Sequence, residues 1–217
     1  MLVIAHRGNH AEHNENTLAA FEAAVELDVD GIETDVRISS DDYLVLIHDR
    51  IISGREVCAL TRKEIEHETG YQVSTLDEAL ECFSGIIWNV EIKTREGLEL
   101  IIQVLEKYQS NRTILVTSFR HDVIAICASS LKVDCGLLVA HRPLSLNSLL
   151  VDSSNITRIN HIVWNYDILD SSLLKESAAA GYNNFVYGLE TKSEFEYCKG
   201  IDVDGVITDS LFLMEYK

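Results

Sequence analysis

Residues 31–49 read GIETDVRISSDDYLVLIHD and hold two strand-like runs, Gly31 to Val36 and Tyr43 to Ile47, separated only by Arg37 to Asp42. A parallel crossover needs roughly ten or more residues. That linker is too short for one, so Tyr43 to Ile47 folds back on its predecessor as a hairpin. The same first run alternates in a way that matters chemically. Glu33 and Asp35 lie two apart, so both carboxylates emerge on one face of the strand while Ile32, Thr34 and Val36 take the other.

With the hairpin strand set aside, eight short apolar segments recur along the chain: Leu2 to Ala5, Gly31 to Val36, Ile86 to Ile92, Thr113 to Thr117, Gly136 to Val139, His161 to Trp164, Asn184 to Tyr187 and Gly205 to Ile207. Helical patterns separate most of them. In Thr17 to Leu27, Leu18, Phe21 and Val25 share a face behind a candidate cap at Asn16. The others are Leu76 to Cys82, Leu98 to Tyr108, Val123 to Ser129, Ser171 to Ala180 and Ser193 to Cys198. This α/β rhythm predicts a (β/α)₈ TIM-type barrel with a short hairpin insertion after strand 2, as one domain over residues 1–217. An open doubly wound sheet is the alternative. No GxGxxG or GxxxxGK loop follows any strand, which removes nucleotide binding of those kinds.

Thirty-five acidic against 18 basic residues leave a formal charge of −17, so a nucleic acid or an anionic membrane surface is repelled at long range. An anionic small molecule binds only where a local cation reverses the field. Five cysteines without a CxxC pair read as buried free thiols in a reducing compartment. No basic leader precedes LVIA at residues 2–5, and no stretch approaches the roughly 20 apolar residues of a membrane span. The expectation is a cytoplasmic protein without stable membrane association. The oligomeric state is not legible.

Glu91 and Lys93 close the apolar strand IIWNVEIK, at the end where barrel active sites lie. Enclosed carboxylates repel one another and need a compensating cation. Glu33, Asp35 and Glu91 together would form an all-oxygen site for one hard divalent cation, Mg²⁺ or Ca²⁺, with Mn²⁺ a third candidate. Solvated acids on an edge strand, and a structural Glu91–Lys93 ion pair, are the plainer alternatives. His6 and Arg7 end the first strand, and His48 and Asp49 end the hairpin strand. Two imidazoles at one rim suit acid/base work, and Arg7 offers a fork for phosphate oxygens. His10 and His13 are read as loop surface residues. His67, His121, His141 and His161 receive no role.

The segment HRGNHAEHNENTLAAFEAAVELDVDGIETDVRISSDDYLVLIHD resembles the opening signature of the glycerophosphodiester phosphodiesterase family, and VSTLDEALECF, NVEIK, VTSF and DVDGVITDS extend the likeness over nearly the whole chain. The resemblance implies hydrolysis of small glycerophosphodiesters to glycerol 3-phosphate and an alcohol, on a (β/α)₈ barrel with one divalent cation. It implies Glu33, Asp35 and Glu91 as metal ligands and His6 and His48 as the acid and base pair. Arg7 matches the phosphate-contacting arginine, Lys93 the substrate-facing lysine, and Glu15 and Asn16 a supporting ENT element.

The chain also departs from the family pattern. Asn14 stands for the usual proline, Tyr187-Gly188-Leu189-Glu190 for a Trp-Thr-Val-Asn segment, and TDS for TD-x-P. The insertion from Arg50 to Tyr71 is short, which opens the leaving-group side. A non-catalytic polyol- or protein-binding barrel and a phospholipase D-like relative are the competing readings. The first is disfavoured because every reactive position holds a competent residue.

Overall fold

The computed structural model describes residues 1–150, 158–201 and 203–211. Eight strands run parallel: β1 (Leu2–His6), β2 (Gly31–Ile38), β6 (Ile87–Ile92), β7 (Thr113–Ser118), β8 (Asp134–Val139), β9 (Ile159–Asn165), β10 (Asn183–Tyr187) and β11 (Gly205–Thr208). They pair in the order β1, β11, β10, β9, β8, β7, β6, β2, and β2 returns to β1. That last pairing, Ile4 with Gly31 through His6 with Glu33, closes the sheet. A closed barrel, not an open doubly wound sheet, is the result.

The expected hairpin is present. Strand β3 (Leu44–Leu46) runs antiparallel to β2, with Val36 opposite Leu46. It is shorter than its apolar run: Tyr43 is exposed, and Ile47 is buried with Val45, Val57 and Leu60 under the insertion. Behind it lie elements that the periodicity did not reveal: a two-stranded ribbon, β4 (Ile51–Ile52) with β5 (Arg55–Glu56), and helix α2 (Arg62–Thr69). Five helices match expectation to within one or two residues: α3 (Leu76–Cys82), α4 (Leu98–Tyr108), α5 (His121–Ser130), α7 (Ser171–Ala179) and α8 (Lys192–Gly200). Short α6 (Leu146–Leu150) was not foreseen.

Helix α1 (Leu18–Val25) corrects two details. Its cap is Thr17, whose hydroxyl accepts from Ala20 N at 3.3 Å, and not Asn16. Asn16 has a left-handed φ of 58° and turns its side chain toward the barrel. The buried stripe is Ala20, Phe21 and Ala24, while Val25 is exposed. The cysteine reading is also corrected in part: all five are free, but Cys58 and Cys82 are exposed and only Cys127, Cys135 and Cys198 are buried. Burial pushes those three thiols up to about 12, which makes them inert.

Two apolar layers hold the barrel. Outside, Phe21 meets Trp88 edge-on with ring centroids 5.3 Å apart, beneath α1 and α4. Inside, Ile4, Leu115, Leu138, Val163, Phe185 and Ile207 fill the barrel's waist. Gly31 is required at its position, since a Cβ there would sit 2.4 Å from the Ile87 carbonyl oxygen. Close approach of β2 and β6 follows, and it sets the spacing of the acids above. Along the inward face β1, β2 and β7 step from apolar to polar: Ile4 to His6, Gly31 to Glu33 and Asp35, Leu115 to Thr117. The polar set therefore gathers at the C-terminal mouth.

Candidate active site

Strand register brings the three acids together. Asp35 is level with Glu91, and Glu33 is level with Asn89 on one side and His6 on the other. One ligand oxygen from each of Glu33, Asp35 and Glu91 falls within 4.8 Å of the others, and all three residues are buried. Such a trio in a low-dielectric site is strained unless cations compensate.

Two cations are supplied by the chain. Lys93 Nζ lies 2.7 Å from Glu91 Oε1 and 3.2 Å from Asp35 Oδ1. Arg7 Nε approaches Asp35 Oδ2 at 3.1 Å, and its Nη1 donates to both oxygens of Glu15 at 3.0 Å. Arg7 is held in a left-handed turn at φ 56°, which also lets its backbone N–H donate to Glu33 Oε2 at 3.1 Å. Asn16 completes the cradle, donating from Nδ2 to Asp35 Oδ2 at 2.9 Å while its Oδ1 accepts from Thr34 Oγ1 and from Asp35 N.

The charges divide unequally. For Asp35, burial opposes ionisation, but Lys93, Arg7 and the Asn16 hydrogen bond outweigh it and hold the carboxyl below its ordinary value. Burial, then the charges of Asp35 and Glu91, drive Glu33 well above the ordinary carboxylate range. Glu91 is also raised, chiefly by burial. Burial alone would lower Lys93, yet Asp35 and Glu91 leave it raised. Glu33 Oε1 is buried with no hydrogen-bond partner among the described residues. An orphaned carboxylate oxygen among three acids fits a hard, oxygen-seeking cation.

Above the acids is a cavity of about 240 Å³. His6, Arg7, Glu33, His48, Glu91 and Lys93 form its polar side, and Phe119, Leu138, Tyr187 and Ile207 its apolar side. Phe119 and Tyr187 meet edge-on, 6.0 Å between centroids. Asp35, Asn16 and Glu15 stand behind this wall and do not line it. Tyr187 is the member of the departing Tyr187-Gly188-Leu189-Glu190 segment that reaches the cavity; exposed Glu190 does not.

Both imidazoles line the cavity. His48 Nδ1 meets Asp49 Oδ1 at 3.0 Å, and the His48 carbonyl accepts from Arg37 Nε and Nη2 at 3.0 and 2.8 Å. His6 Nδ1 meets Asp209 Oδ1 at 2.7 Å, leaving Nε2 toward the acids, 3.9 Å from Glu33 Oε2. The same Asp209 oxygen lies 2.8 Å from His10 Nε2. His10 is thus no mere surface residue, which corrects the sequence expectation, while His13 is exposed as expected. His121 binds the Leu138 carbonyl, and His161 packs against Phe185 near the opposite end of the barrel.

Asp209, His10, Arg37 and Phe119 were missed from sequence. For Arg37 a signal existed, because it continues the period-two series Glu33, Asp35, Arg37. Asp209 had its place at a strand end and within the quoted DVDGVITDS segment, but nothing local tied it to His6.

A closed parallel barrel whose C-terminal mouth sinks three acids between an arginine, a lysine and two histidines defines a hydrolytic barrel enzyme. Residues 6–211 match the glycerophosphoryl diester phosphodiesterase family, and the chain belongs to that family of phosphoric diester hydrolases. A glycerophosphodiester phosphodiesterase of Caldanaerobacter subterraneus subsp. tengcongensis is 29% identical over 96% of this chain and 93% of its own length. The crystal structure of the glycerophosphodiester phosphodiesterase from Thermotoga maritima, 27% identical, superposes with a TM-score of 0.86 over 100% of this chain and 97% of that one. An Oleispira antarctica phosphodiesterase solved with its product sn-glycerol 3-phosphate shares the fold at a TM-score of 0.86 and 23% identity, over 100% of this chain and 96% of that one. Among the described residues no helix is long and apolar enough to cross a membrane.

Proposed function

We propose that this enzyme hydrolyses glycerophosphodiesters to sn-glycerol 3-phosphate and a free alcohol, using one divalent cation and a pair of histidines. The observation that carries the reading is the trio Glu33, Asp35 and Glu91, buried with ligand oxygens within 4.8 Å and with one Glu33 oxygen lacking a hydrogen-bond partner among the described residues. Those residues would hold the cation, and their all-oxygen chemistry favours Mg²⁺ or Ca²⁺, with Mn²⁺ acceptable. When bound it supplies positive charge that lets all three acids ionise and polarises a phosphoryl oxygen.

The chain's own groups account for the rest. Arg7 and Lys93, both on the cavity wall, neutralise the charge that builds on the phosphoryl oxygens. Glu15 and Asn16 act one layer back, Glu15 by gripping Arg7 and Asn16 by fixing Asp35. With water added overall across the broken P–O bond, one of His6 and His48 takes the proton from the attacking oxygen and the other gives one to the departing alcohol oxygen. Asp209 holds His6 by Nδ1, so Nε2 is the atom presented to the cavity. The glycerol half fits against Phe119 and Tyr187. The product held by the Oleispira relative supports this substrate class. Residues 1–217 act as a single barrel domain in this reading, and free thiols with a charge of −17 support a cytoplasmic, nucleic-acid-free role.

The test is turnover of a glycerophosphodiester panel by metal-stripped protein, before and after adding Mg²⁺, Mn²⁺ or Ca²⁺, with Glu33→Ala as control. Metal-restored release of sn-glycerol 3-phosphate by the wild type alone is expected. No release from any diester with any of the cations would refute the proposal.

A further inference from the structure

A second cavity of about 290 Å³ adjoins the first, and Lys93 stands in the wall of both. It is built where the short insertion meets the barrel: Arg37 at the end of β2, Arg50 just before β4, Glu56 in β5, Lys93 and Glu96 after β6, and Arg120 after β7. Four cations therefore face two carboxylates, on a chain whose overall charge is −17. A local reversal of field of this kind is what an anionic ligand requires.

The carboxylates are already engaged. Glu56 pairs with Arg50, and the Thr94 hydroxyl donates to Glu96. Lys93 is shared by Asp35 and Glu91, and Arg120 leans on Asp122 at 3.1 Å. Arg37 differs. It spends Nε and Nη2 on the His48 carbonyl, and among the described residues no carboxylate comes within ion-pair distance of it. Nη1 makes no hydrogen bond among those residues. Arg37 also lies two residues past Asp35 on the same strand face, so its free donor sits one step outward from the acid trio.

We propose that this second cavity binds an anionic group carried on the leaving alcohol, so that the preferred diesters are those whose alcohol itself bears a phosphoester or a carboxylate. The inference rests on the proposed hydrolysis and narrows its substrate class. A diester seated with its phosphorus beside Arg7 and Lys93 directs its glycerol half to Phe119 and Tyr187. Its other half then runs past Lys93 toward Arg37, Arg50 and Arg120. A cationic alcohol such as choline would meet like charge there.

Steady-state kinetics on diesters that share the glycerophosphoryl half separate the possibilities. The alcohols are glycerol (neutral), choline (cationic), inositol 4-phosphate (phosphoester) and glycolate (carboxylate). The expected result is a kcat/KM for at least one anionic alcohol about tenfold or more above that for glycerol, the scale of one charge-assisted contact. The preference should shrink in high salt. Whichever anionic arm is favoured identifies phosphoester or carboxylate. Arg50→Gln and Arg120→Gln should each lower the anionic-to-neutral ratio, through KM rather than kcat. Equal turnover of neutral and anionic diesters, or variants that leave the ratio intact, would overturn the inference and leave the hydrolysis standing. Turnover of no diester would overturn both.

Discussion

Asp209 Oδ1 stands 2.7 Å from His6 Nδ1, across the seam where the last barrel strand pairs with the first. Two residues 203 positions apart thus become one functional pair. Asp209→Asn keeps the shape and removes the charge. Activity should fall roughly ten- to hundredfold, the scale for losing a partner that orients an active imidazole, with far-UV circular dichroism unchanged. Wild-type activity in the variant would remove Asp209 from the mechanism.

The same pair predicts a pH dependence of stability. Burial by itself would raise the Asp209 carboxyl, but the hydrogen bonds and charges of His6 and His10 hold it well below the carboxylate range. A carboxyl depressed in the folded state contributes stability above its unfolded value of about 3.9 and loses it as pH falls toward the folded one. Asp209 is more than half exposed, so the gain is at most about 1 kcal/mol. Melting curves of wild type and Asp209→Asn should converge below about pH 4. A gap that stays constant to pH 2 would count against the linkage.

Glu33 carries the opposite sign. Its carboxyl is raised by burial and then by Asp35 and Glu91, so its favourable neutral form is lost as pH climbs from about 4.3 through the folded value. Metal-free Glu33→Gln should therefore melt above metal-free wild type at pH 7 to 8, by the equivalent of about 1 kcal/mol or more. Saturating divalent cation should reverse the order, since a ligand at 100 times its Kd stabilises by about 2.7 kcal/mol. A metal-free variant less stable than wild type would show that the acid trio is not mutually repulsive.

Asn16 does two jobs that separate by substitution. Asn16→Ala leaves Thr34 and Asp35 without their buried partner, at about 1–3 kcal/mol. Asn16→Gly loses the same bonds but suits the φ of 58°, recovering about 1 kcal/mol. Stability should rank wild type, glycine, alanine in denaturant titrations, and both variants should lose activity through Asp35.

Gly31→Ala tests how the acids are spaced. The added Cβ meets the Ile87 carbonyl oxygen at 2.4 Å, a backbone atom that yields only by parting β2 from β6. Overpacking of this kind costs about 1–3 kcal/mol. Because Asp35 faces Glu91 across the same pair of strands, metal affinity should drop with stability. Unchanged affinity in a destabilised variant would separate the two effects.

Much of this was legible beforehand because it is local. The spacing of Glu33 and Asp35, and the few residues between β2 and β3, follow from backbone periodicity and chain reach, which act over half a dozen residues. Helices α4 and α7 announced themselves by apolar stripes. The β4–β5 ribbon and α2 did not, since Ile65 is the only buried residue α2 contributes. Asn16 reads as a cap from its residue type, and the true cap at Thr17 emerged only because Asn16 was needed elsewhere. His10 shares an HxxxHxxH spacing with His6 and His13, but that spacing gave no hint of its true partner, Asp209.

The amino-acid order alone determined that eight candidate strands alternate with helical patterns, that acids cluster at strand ends, and that His6 and His48 each close a strand. Those are properties of short segments and of side-chain alternation. Closure of the sheet decided the rest: that Asp209 meets His6, that one Glu33 oxygen finds no hydrogen-bond partner among the described residues, and that Arg37 and Arg120 face one cavity. Each of these depends on register between strands far apart in the chain. Register is set when the apolar layers of all eight strands pack together, and no local pattern encodes it.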